Sequence, residues 1–67
     1  MKPLGTRWEV IEDEERAESI YEAAKSLVPY EKAQSLHIWE ERYVIDQVCY
    51  MILGNFSNDE YIVEELV

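Results

Sequence analysis

The sequence predicts one small, mostly α-helical domain over residues 1–67, a helical hairpin or three-helix unit, and three observations predict it. Ala17, Ile20, Tyr21, Ala24, Leu27 and Val28 recur at the spacing of one helical face. Val44, Ile45, Val48, Met51 and Ile52 cluster on one side of a helical wheel, ready to meet that face as an antiparallel hairpin. Ser57 and Glu60 form a capping-box pattern that opens a third helix. The alternative arrangement is α+β, a β-α-α-β order in which short strands at the two ends pair with each other.

The first element, over residues 6–12, has a double reading. Trp8 and Val10 alternate with charged residues as in a strand, while Thr6 and Glu9 have capping-box spacing. Asp13 follows. It would fall on the apolar face if the helix ran through it, so its place is the N-cap, where its carboxylate accepts backbone N–H bonds. Glu14, Glu15 and Glu18 then occupy the first turns, where the helix dipole favours negative charge. Pro29 stops this helix after Val28 or opens the next at its first position.

The second helix, single or in two parts, is expected from Tyr30 to about Leu53, with Gly54 and Asn55 as its stop. Its last eleven residues, Tyr43 to Leu53, contain only Asp46 and Gln47 as polar positions. A helix that apolar needs cover on two sides. The hairpin partner covers one; Trp39, Tyr43 and Tyr50 form a second stripe next to Asp46 with no evident partner in the chain. Residues 59–67 repeat the ambiguity of the start, since Tyr61, Ile62 and Val63 favour a strand.

Composition narrows the function classes. A 67-residue chain buries only about 60% of the surface its unfolded form exposes, so its stability is thin unless something staples it. One cysteine allows no internal disulfide, and one cysteine with one histidine builds no structural zinc site. Association is the staple that remains. With 48% hydrophobic residues, two Trp, five Tyr and one Phe, the chain is too apolar for an acidic disordered tail. The opening residues lack the apolar segment of a signal peptide, and the Tyr43–Leu53 run is about half a bilayer span, so a cytoplasmic protein is expected.

The net charge is −9, from 15 acidic and 6 basic residues. Residues 9–22 carry −6 and residues 59–67 carry −4, around a nearly neutral middle. Such a field repels nucleic acid and anionic membranes and steers the chain to basic surfaces. Glu14, Glu18 and Glu22 stand four apart along one helical ridge, about 6 Å between neighbours by the helical rise, comparable with successive phosphates along a nucleic-acid strand. Like charges at that spacing cost a few tenths of a kcal/mol per pair. Lysines are too few to neutralise the ridge, since only Lys25 lies within a turn of Glu22. The competing reading is a solvated helix face kept for solubility.

The expected function is therefore a non-enzymatic acidic inhibitor that occupies the basic nucleic-acid-binding surface of another protein, without binding nucleic acid itself. Glu14, Glu15, Glu18 and Glu22 make the charged contact, helped by Glu64 and Glu65. Trp39, Tyr43, Asp46 and Tyr50 form a homodimer or partner interface, because Trp and Tyr bury large areas at small entropic cost. Phage-encoded inhibitors of host nucleases, restriction enzymes and CRISPR complexes share this size and charge, a likeness of type only. The alternative is a small structural or regulatory subunit, of antitoxin or assembly-factor type, docking through the aromatic stripe with acidity serving solubility. No cofactor or metal is expected. His37 and Glu41 have no third ligand, and Cys49 lies in an apolar segment that offers no base to activate it.

Overall fold

The computed structural model describes residues 6–67 and overturns the helical expectation: these residues form a five-stranded antiparallel sheet with one helix. The elements run β1 (Trp8–Val10), α1 (Glu14–Ala24), β2 (Glu31–Gln34), β3 (Ile38–Ile45), β4 (Val48–Asn55) and β5 (Tyr61–Leu66). Strand order across the sheet is β1-β5-β4-β3-β2. Neither the helical hairpin nor the three-helix unit is present. The β-α-α-β alternative fails too: β1 and β5 do pair, Trp8 opposite Leu66 and Val10 opposite Glu64, but three more strands stand where its second helix would be.

The helix begins as its sequence dictates. Asp13 is the N-cap, its carboxylate accepting from the backbone N–H groups of Glu15 and Arg16 at 3.0 and 3.2 Å. It ends a turn earlier than Pro29 suggested. After Ala24 the bonds tighten, Ser26 N–H donating to the Ala23 carbonyl and Leu27 N–H to that of Ala24. Val28 then precedes proline, which disfavours helical backbone, and its side chain is exposed.

The apolar run from Tyr43 to Leu53 is not one helix but two strands facing each other. Asp46 and Gln47, its only polar residues, are the two-residue turn of the β3–β4 hairpin, with φ of 50° and 67°. Two consecutive left-handed residues give the turn whose twist matches paired strands. Around it Ile45 faces Val48, Val44 faces Cys49 and Tyr43 faces Tyr50. These β-branched and aromatic cross-strand pairs suit a pleated, half-buried surface better than a helix, where their χ1 freedom is lost.

Strand alternation then sorts the side chains into two faces. Toward α1 point Trp39, Tyr43, Tyr50, Ile52, Tyr61 and Val63, and with Ile11, Ile20 and Ala24 they form the core. Ile52 and Val63 are its most enclosed members, 2% and 1% exposed. The helix crosses this face obliquely: Arg16 near its start bonds Glu65 on β5, and Ala24 at its end borders a recess shared with Trp39 and Tyr43 on β3. The opposite face has no second layer among the described residues. At its centre Trp8 reaches to 5.6 Å from the Arg42 guanidinium, and Met51, between their strands, is buried. No helix among the described residues is long and apolar enough to cross a membrane.

Candidate functional site

The helix carries the acidic residues outward. Glu14, Glu15, Glu18 and Glu22 are all exposed, and Glu12 just ahead of the cap joins them. The cations nearby are spent elsewhere. Arg16 projects to β5, donating to the Glu65 carboxylate at 2.7 and 3.4 Å, and Glu65 holds its guanidinium pKa above the ordinary value through that hydrogen bond and its charge. Lys25 donates to Glu22 at 3.1 Å and lies 5.0 Å from the centre of the Tyr21 ring. Farther off, Arg7 pairs with Glu9, and Arg42 with Glu31 and Glu40. Among the described residues, Glu12, Glu14, Glu15 and Glu18 have no ion-pair partner.

The local field shows in a neighbour. Tyr61 stacks on Tyr21 with ring centres 4.1 Å apart, beneath the helix ridge. Its hydroxyl is pushed above the usual phenol range, first by burial and then by the charge of Glu18, with smaller contributions from Tyr21 and Glu22. Negative charge here is thus felt by the sheet below and not only by solvent.

The six carboxylates expected to act together do not all converge. Glu14, Glu15 and Glu18 form one exposed group. Glu22 is on the same helix but shares its charge with Lys25, and Glu65 is held by Arg16. Glu64 lies on the other side of the sheet, since it alternates with Glu65 along β5. Glu12 was not singled out from the sequence. Its signal was available: a carboxylate preceding a capped, acidic first turn extends the same charged group.

The aromatic set also divides. Tyr43 and Tyr50 are a cross-strand pair buried under the helix, 6% and 8% exposed, and serve this chain's own core. The Tyr43 hydroxyl donates to Glu41 at 2.7 Å, and burial together with that carboxylate pushes its pKa up to about 12. Trp39 is half-buried, its indole lying over Gly54, the residue opposite it on β4. Asp46 sits exposed in the hairpin turn.

What the helical reading hid is the uncovered sheet face. Val10, Ile38, Val44 and Ile62 point out from it and are each about half exposed, between 48% and 55%. At one end Ile38, Leu53 and Ile62 line a groove of about 610 Å³ with the carboxylates of Asp59, Glu60 and Glu64. No group of three or more His, Cys, Asp or Glu among the described residues is arranged to hold a metal ion. Comparison of the chain with protein-family models, with curated proteins and with solved structures gives no match in any of the three.

Proposed function

We propose that the protein is a non-enzymatic acidic binding protein that sets the first half of α1 against the basic, nucleic-acid-binding surface of another protein and so keeps nucleic acid off it. One observation carries this reading: of the five lysines and arginines among the described residues, Arg7, Arg16, Lys25 and Arg42 are in ion pairs and Lys32 lies away on the edge strand β2, while Glu12, Glu14, Glu15 and Glu18 stay exposed and unpaired among those residues. The charge is concentrated on a capped helix fixed to a sheet, so little conformational freedom is lost on binding. Competition with nucleic acid then uses the same electrostatics that nucleic acid uses, and weakens with salt in the same way.

The test is capture from a cell lysate on the immobilised protein, with elution along a salt gradient and identification by mass spectrometry. A DNA- or RNA-binding protein should elute as salt rises, be displaced by free duplex, and be lost when Glu14, Glu15 and Glu18 are replaced together by Gln. A partner retained through high salt and by the triple variant would overturn the reading. That outcome would favour the second reading, a subunit docking through the half-exposed Val10, Ile38, Val44 and Ile62 of the open sheet face.

A further inference from the structure

The groove on the open face has an unusual combination of walls. Its floor is apolar, built from Leu53 and Ile62, neighbours across β4 and β5, with Ile38 from β3 beside them. Its rim is acidic: Asp59 and Glu60 in the β4–β5 loop and Glu64 on β5, none with an ion-pair partner among the described residues. No cationic side chain among the described residues lines it. Unpaired carboxylates around an apolar floor repel an acidic occupant, including a second copy of a chain with net charge −9.

The groove is also continuous with the acidic helix. β1 pairs with β5 from Glu64 to Leu66, a pairing extended at one end by bonds of Thr6 and Arg7 with Val67 and at the other by Ile11 N–H donating to the Val63 carbonyl. Beyond it, Tyr61 and Ile62 have β4 on one side and, among the described residues, no strand on the other. Ile62 therefore lines both this groove and a second one, of about 340 Å³, bounded by Glu12, Glu14 and Glu18. One partner can touch both.

We propose that the groove of Ile38, Leu53 and Ile62 receives a basic segment of the partner protein, an apolar side chain entering between lysines or arginines that meet Asp59, Glu60 and Glu64. This rests on the reading that the partner is basic, and deepens it: apolar contact in the groove selects one basic segment among many, while the helix charge attracts them all.

The experiment is a titration of the ¹⁵N-labelled protein, followed by amide chemical shifts, with two capped seven-residue peptides: one of alternating lysine and leucine, and heptalysine. The lysine–leucine peptide should shift the amides of Ile38, Leu53 and Ile62 saturably and bind about ten-fold tighter than heptalysine, as burial of a leucine side chain predicts. Heptalysine should shift mainly the amides of residues 12–18. Ile38→Lys, at a residue that lines this groove and not the one beside the helix, should remove the groove shifts and keep the helix shifts; if that variant loses its amide dispersion, Asp59→Asn with Glu64→Gln replaces it.

Equal affinity for the two peptides at the groove would overturn the proposal, because charge alone would explain it. Shifts from both peptides confined to the helix would overturn the groove and leave the basic-partner reading standing. No shift from either peptide would overturn both. Groove amides that move with protein concentration, without peptide, would show a second copy as the occupant and overturn the proposal.

Discussion

Replacing Gln47 by glycine should stabilise the protein, and the sign of that change separates a hairpin from a helix. Gln47 sits at φ 67°, in the left-handed region, directly after Asp46 at φ 50°. That conformation costs a residue with a Cβ about 1–2 kcal/mol. Asp46 has a short polar side chain that tolerates it; Gln47 has none. Glycine removes the penalty and returns about 0.5–1 kcal/mol of it as chain entropy. The net gain is about 0.5–1 kcal/mol, made by an Asp-Gly pair that such turns favour. For a domain of this size that raises Tm by about 2–8 °C. Were the segment helical, the same substitution would cost about 0.5 kcal/mol or more, because glycine is among the worst helix formers. Gln47→Ala sharpens the contrast, gaining nothing in the turn but improving a helix. The assay is urea unfolding followed by tryptophan fluorescence and far-UV circular dichroism, with the denaturant slope required to stay constant. A lower midpoint for Gln47→Gly, or a higher one for Gln47→Ala, would refute the reasoning.

Two further outcomes follow from the core. Gly54→Ala should destabilise by about 1–3 kcal/mol, because a Cβ there falls within the Trp39 indole and the ring must leave its place; in a Trp39→Ala background the same change should cost close to nothing, and an unchanged cost would refute the contact. Tyr43 should be the last tyrosine to ionise in an alkaline titration read at 295 nm, with an apparent pKa of about 12, and Tyr43→Phe should delete that step. The folded pKa lies above the ordinary value of 10.0, so the stabilisation is complete below pH 10 and is lost as pH rises toward 12. Constant stability across that window would refute the burial argument.

The helix was legible in the sequence because one face of it meets the core and the other meets water, leaving an intact 3.6-residue period from Ala17 to Ala24. The Asp13 cap was legible for the same reason: a carboxylate at the edge of that pattern has one place to go. The hairpin was not. A half-buried strand shows alternation, but β4 presents Met51 on the open face, buried between its cross-strand neighbours Arg42 and Glu64, and flanked along the strand by Tyr50 and Ile52 on the core face. Three apolar residues in a row erase the period of two. Its turn lacks glycine and asparagine, the usual marks of a two-residue loop. The signal that remained was the position of Asp46 and Gln47 in the middle of an apolar run, flanked by Val44, Ile45 and Val48. Of the acidic residues, those on the helix could be placed by periodicity alone. Glu64 and Glu65 could not, since adjacent carboxylates point about 100° apart on a helix but take opposite faces of a strand.

The order β1-β5-β4-β3-β2 also decides where the chain can grow. Three of its joints link neighbouring strands, at residues 35–37, 46–47 and 56–60, and an insertion in either of the two longer ones lengthens a loop without moving what it joins. The route from β1 to β2 instead crosses from one edge of the sheet to the other. Five strands about 4.8 Å apart make that crossing about 19 Å, and an eleven-residue helix covers about 16 Å of length along its own axis. The helix therefore carries most of the crossing, and the six residues 25–30 that follow it complete the way to β2. The sheet's width is held by its own hydrogen-bonded ladders, so a change in helix length would fall on that six-residue segment and leave the strand spacing as it is.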